Sequence, residues 1–89
     1  MANATFQLHI RSTECDFYEG ECQSLTLTLP DGRLGLRANH SPLTAAVVPG
    51  YLAYRLPDGT EVRAKAGDGI LRFAKNDALV LLDSIETAV

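Results

Sequence analysis

His40, between Asn39 and Ser41, comes closest among the side chains of this sequence to acid–base or nucleophilic chemistry. A serine–histidine pair needs an acid to orient the imidazole and a site for the oxyanion, and adjacent residues usually point their side chains apart. No nucleophile motif surrounds it. A histidine followed by x-Pro in a tight loop more often organises that loop, its ring nitrogens bonding backbone groups that irregular chain leaves unpaired.

Gly32-x-x-Gly35 is no phosphate loop, because it lacks the Lys-Ser/Thr and does not open a helix where amides converge on an anion. Its glycines suit a turn and a close backbone approach. Cys15 and Cys22 are the only cysteines, and with only His9 and His40 available from separate segments they do not make a zinc site. The carboxylates occur singly. No catalytic residue, metal or cofactor is expected.

The elements that must position these residues begin with composition. A chain of 89 residues with 46% apolar residues and 21% charged ones predicts one folded domain over 1–89. Eight Lys and Arg against eleven Asp and Glu, scattered to a net −3, give no basic stripe for phosphates, so nucleic acid is excluded as a partner. The N-terminus lacks a basic flank followed by an apolar core, which predicts a protein that stays inside the cell with two reduced thiols. The longest apolar run, Ala78 to Leu82, falls far short of the ~20 residues a spanning helix needs.

Period-two alternation dominates. Phe6, Leu8 and Ile10 alternate with Gln7, His9 and Arg11, and Leu25, Leu27 and Leu29 with Ser24, Thr26 and Thr28. Pro30-Asp31-Gly32 reverses the chain. Leu43 to Val48 runs into Pro49-Gly50, which suits the centre of a type II turn between strands. Tyr51 to Leu56 and Glu61 to Ala66 flank Pro57-Asp58-Gly59-Thr60 as a hairpin with one charged face. Gly67-Asp68-Gly69 breaks that strand, Ile70 to Ala74 forms the next, and Lys75-Asn76-Asp77 turns into Ala78 to Ser84.

Short strands recurring about every eight to ten residues, with Gly and Pro at the joints and no helical period, predict an all-β, antiparallel sandwich or flattened barrel. The stretch from Asp31 to Gly50 reads as a shaped surface loop. Outer faces of sandwich strands normally read polar. Ala78 to Leu82, and Leu43 with Ala45 to Val48, are apolar on both parities, which reads either as the exposed apolar surface that small domains commonly carry or, explaining both runs together, as a sheet face covered by a partner.

Several motifs in register, Phe17-Tyr18-Glu19-Gly20, Asp31-Gly32-Arg33-Leu34-Gly35-Leu36, His40-Ser41-Pro42-Leu43-Thr44-Ala45, Pro49-Gly50 and Gly69-Ile70-Leu71, resemble the N-terminal domain of the epsilon subunit of F-type ATP synthase. The resemblance covers nearly the whole chain. It implies a flattened β-sandwich of about ten strands, and a non-catalytic rotor subunit of the central stalk. That subunit couples the gamma subunit to the membrane c-ring during proton-driven ATP synthesis, and meets the catalytic head only through the complex. It would work peripherally at the cytoplasmic face of the bacterial inner membrane, touching the membrane only via the complex.

Carried onto this sequence, the resemblance implies c-ring contacts at Gly32, Arg33, Leu34, Asn39 and His40. It implies gamma contacts at Ser12, Leu43, Thr44, Leu79, Leu81 and Leu82. Gly20, Gly35, Pro42, Pro49, Gly50 and Gly69 are the expected structural loop positions. The family often has an acidic or neutral residue where Arg33 stands, and Pro-Gly or Pro-Asn where this chain has Ala38-Asn39. Many members continue into two C-terminal helices that inhibit hydrolysis and in some cases bind ATP. This sequence stops at Val89 without that hairpin, so helix-based regulation is not expected if the length is natural. The second reading, from another class, is a free-standing β-sandwich that binds a ligand or peptide with its His40 loop.

Overall fold

Period-two segments become strands because one face of each leaves water while the other stays in it. The structure, a computed structural model, describes residues 4–87. Ten strands follow one another: β1 (Phe6–Ser12), β2 (Asp16–Cys22), β3 (Ser24–Leu29), β4 (Gly32–Arg37), β5 (Leu43–Val47), β6 (Gly50–Arg55), β7 (Glu61–Ala66), β8 (Gly69–Ala74), β9 (Asp77–Leu82) and β10 (Ile85–Thr87). They form two five-stranded sheets, a first in the order β2-β1-β9-β8-β5 and a second in the order β10-β7-β6-β3-β4.

The antiparallel arrangement expected from the sequence has one exception. β1 and β9 run parallel, from Gln7 opposite Asp77 to Ser12 opposite Leu82. No hairpin ties these distant strands, so nothing local fixes their relative direction.

Between the sheets lies one apolar core that includes Phe6, Leu8, Leu25, Leu52, Phe73 and Val80. Phe6 meets Phe73 edge to face at 5.4 Å, and no polar or charged residue is buried among the described ones.

The stretch read as a long loop is mostly strand. β4 and β5 occupy it, leaving only Ala38 to Pro42 as the connection from the second sheet to the first. β4 has only Leu34 and Leu36 as apolar residues among glycines and arginines, too weak a pattern to read locally. Pro49-Gly50 is not the expected type II turn, because Gly50 has no positive φ and begins β6. β5 and β6 lie in different sheets, so the chain crosses over there. Gly50 is required for closeness instead: a Cβ on it would stand 2.7 Å from Thr28 Oγ1.

Hairpins close where the turn chemistry sits. Pro30 and Asp31 join β3 to β4, with Leu29 opposite Gly32. Lys75 and Asn76 join β8 to β9, both at positive φ (53° and 57°), the mirror-image turn whose twist matches paired strands.

Candidate functional site

The backbone of Ala38 to Pro42 spans the two sheets and would leave polar groups unpaired without side-chain partners. His40 supplies one: its Nδ1–H donates to the Ser41 carbonyl at 2.8 Å, while its ring packs edge to face on Phe73 at 5.9 Å. Its amide donates to the Arg37 carbonyl at 3.3 Å. Asn39, at φ 68°, is tied to the β8–β9 turn through Asn76. Both residues organise the loop, and the ring nitrogen that faces Ser41 is not free to take a proton from a nucleophile.

The five residues carried over as ring contacts do not lie together. Gly32, Arg33 and Leu34 begin β4 beside the Pro30–Asp31 turn, whereas Asn39 and His40 follow its far end. Gly32 to Arg37 spans about 17 Å of extended chain, in a molecule whose longest extent is 36 Å. A continuous loop would have kept them adjacent, but a strand carries them to opposite ends. Gly32 and Arg33 are exposed and Leu34 is half-buried.

The residues carried over as gamma contacts divide by parity. Thr44, Leu79 and Leu81 share the outer face of the first sheet, linked by the register Thr44–Arg72–Leu79 and by Leu81 opposite Ile70. Leu82 is buried at 4% exposure, and a leucine whose side chain points inward cannot line an outer face. Leu43 is half-buried opposite Phe73. Ser12 is committed locally, its Oγ accepting from the Glu14 and Cys15 amides at 3.2 Å each.

Sequence reasoning missed Ile70. It stands 45% exposed between Ala46 on β5 and Leu81 on β9, and Leu81 is itself 42% exposed. Ile70 and Leu81 are two of the three large apolar side chains that are exposed among the described residues. Reading Ile70 and Arg72 as one parity of β8 would have found it. The patch has a polar rim: Arg11 lies opposite Leu81, and His9 and Arg72 flank Leu79.

Two of the rim residues, His9 and Arg11, belong to a charged cluster. His9 Nδ1 lies 2.9 Å from Glu19 Oε1 and its Nε2 lies 3.1 Å from Asp77 Oδ1, while Arg11 reaches Glu19 at 3.2 Å. Hydrogen bonds from His9 and then Arg11 hold the Glu19 carboxyl below its ordinary range. Cys15 is exposed, while Cys22 closes β2 in the core, where burial pushes its thiol up to about 12. All four expected loop glycines belong to strands, Gly20 and Gly35 in the interior of β2 and β4 and Gly50 and Gly69 at the start of β6 and β8, and Pro42 and Pro49 lie in connections. Gly69 is needed because a Cβ there would run into the Leu81 carbonyl oxygen.

Fold and surface together define a β-sandwich whose distinctive feature is a face, with Asn39 and His40 Nδ1 in its loop committed to the fold. Residues 5–88 match the family described as the beta-sandwich domain of the ATP synthase delta/epsilon chain, and the chain belongs to that family. It is 33% identical over 86 residues to an ATP synthase epsilon chain of Syntrophomonas wolfei, a match covering 97% of this chain and 63% of the relative. The chain thus spans under two thirds of that relative's length. A chain in the Euglena gracilis mitochondrial ATP synthase, solved as OSCP/F1/c-ring, superposes with a TM-score of 0.90 at 13% identity over 98% of this chain and 56% of that one. One in the Tetrahymena thermophila mitochondrial central stalk/c-ring gives 0.80 at 14% identity, over 98% and 69%. These two likenesses are of fold.

Proposed function

We propose that this chain is a non-catalytic rotor subunit of an F-type ATP synthase, held between the gamma subunit and the c-ring and turning with both. The observation that carries this reading is the apolar patch of Ile70, Leu79 and Leu81 with its polar rim on an outer sheet face. An exposed apolar patch rimmed by polar groups is how a soluble surface prepares for a protein partner. In this reading the patch, with Thr44 and Ala46, seats gamma. Gly32, Arg33 and Leu34, at the end away from the His40 loop, face the c-ring. Asn39 and His40 act on assembly only through the loop they hold.

The work is mechanical. Two packed sheets over an apolar core resist bending, so torque passes through the body, and no step of bond chemistry falls to this chain. Its site is the cytoplasmic face of the bacterial inner membrane, reached through the complex, and the catalytic head is a partner only through gamma. The His40 loop does not favour a free-standing ligand-binding module, since Asn39 is tied to Asn76 on the β8–β9 turn and His40 Nδ1 to the loop's own backbone.

Titrating the purified chain with the gamma subunit of its own organism tests the proposal. Stable attachment needs an interface on the order of 1,200–2,000 Å² and binding at micromolar concentration or below. No binding in that range would overturn it.

A further inference from the structure

The outer face of the second sheet gathers positive charge in a chain whose net charge is −3. Arg33 and Arg37 on β4, Arg55 on β6, and Arg63 and Lys65 on β7 are exposed there, five of the eight Lys and Arg. Only Glu61 and Glu86 among the eleven acidic residues share their face. The first sheet shows the ordinary arrangement, in which cations interleave with carboxylates: Arg11 lies 3.6 Å from Asp16 and 3.2 Å from Glu19.

A row of small side chains crosses the middle of the basic face. Gly35 pairs with Thr26, Thr26 with Ala53, and Ala53 with Arg63 at the row's end. The neighbouring row reads Arg37, Ser24, Arg55 and Glu61. Two shallow depressions meet here and share Ser24, Thr26 and Arg37. A Cβ at Gly35 would meet nothing within 4 Å, so the trough is open to solvent at that end.

Its guanidiniums are underused. Glu61 is shared at long range by Arg55 (3.6 Å) and Arg63 (3.8 Å), and Arg37 has no carboxylate partner among the described residues. Each guanidinium offers a fork of donors matched to a carboxylate. Strands lie about 4.8 Å apart, so the backbones at Arg37 and Arg55 stand about 10 Å apart, and the row from Gly35 to Arg63 spans about 14 Å. That is the reach of about four extended residues.

We infer that this trough docks an acidic, extended segment of a partner protein, its carboxylates held by Arg37, Arg55 and Arg63 and its backbone lying over Gly35, Thr26 and Ala53. The trough lies on the sheet opposite the apolar patch. It therefore adds a second contact beyond the seat of gamma, and concentrates attraction for an acidic chain that the net charge would repel.

The test is an amide-resolved NMR titration of the full chain at low salt with an octapeptide alternating Glu and Ser, and with its Gln-for-Glu counterpart. The acidic peptide should move the amides of Thr26, Gly35 and Ala53 and saturate, while the neutral one leaves them in place. Arg37→Gln with Arg63→Gln should weaken binding about tenfold, the scale of two lost exposed ion pairs. Arg11→Gln with Arg72→Gln, on the other sheet, should leave it unchanged. No shifts at millimolar peptide, or equal weakening by both pairs of changes, would overturn the inference. So would binding to phosphatidylglycerol vesicles lost in the Arg37/Arg63 variant together with no peptide binding, which would assign the face to lipid headgroups. Amide spectra confirm that each variant is folded, and retained gamma binding by the Arg37/Arg63 variant separates this outcome from failure of the rotor proposal.

Discussion

Asn39 and Asn76 hold each other across one end of the sandwich. The Asn39 amide donates to Asn76 Oδ1 at 2.6 Å, and Asn76 Nδ2 donates to Asn39 Oδ1 at 3.0 Å. Both residues sit at positive φ, so each turn depends on a residue type that tolerates that conformation. The pair joins the only connection between β4 and β5 to the hairpin that sets β8 against β9.

Asn76→Ala removes both bonds and places a methyl in a left-handed turn. The expected loss is about 2–3 kcal/mol, from two hydrogen bonds and backbone strain. Asn76→Gly relieves the strain and should lose only about half as much. Denaturant melts compare the two, and equal losses would show that the turn conformation carries no cost.

Leu81→Asp and Leu82→Asp separate by parity. Leu82 is in the core, and an unpaired carboxylate there should unfold the domain. Leu81→Asp should leave the melting temperature within a few degrees and abolish gamma binding, as should Ile70→Asp. Circular dichroism and a binding titration read both effects. Unfolding by Leu81→Asp would remove the case for a covered outer face.

Much of this was legible in the sequence, and the reason is the period of two. β1, β3 and β7 alternate cleanly because each has one wet face, and the apolar run at Ala78 to Leu82 marked the outer patch. What escaped was non-local. The parallel pairing of β1 with β9 leaves no mark on either strand alone. Gly32-Arg33-Leu34-Gly35 looks like a loop until Ser24 to Leu29 pairs with it, and that pairing is what sends Arg33 and His40 to opposite ends. Charge scattered along the chain likewise becomes segregated only when β3, β4, β6 and β7 are laid side by side.

Gly50→Ala tests the crossover between the sheets. The new methyl must displace Thr28, whose Oγ1 and Cβ stand 2.7 and 3.1 Å from its position. Thr28 is stiff at χ1, so overpacking should cost about 1–3 kcal/mol. Adding Thr28→Ala removes the nearer atom and should recover part of that loss in a double-mutant cycle. Simple additivity of the two changes would show that the contact is not the cause.

Alkaline pH should unfold the domain through Tyr54 and Cys22. Burial raises the Tyr54 hydroxyl from 10.0 to about 12 and the Cys22 thiol from 9.0 to about 12. Both groups are neutral in the folded state, and the unfolded chain loses their protons first. Their contribution is therefore complete below the unfolded values, and declines as pH rises from about 9 to about 12. Stability measured across that window should fall, and Tyr54→Phe, which cannot ionise, should flatten the fall between about 10 and 12. The same burial should shield Cys22 from thiol reagents at neutral pH until the chain unfolds, while exposed Cys15 reacts in the native state. An unchanged alkaline slope in Tyr54→Phe, or equal reactivity of the two thiols in the native protein, would show that the inner face of β2 and β6 is open to water.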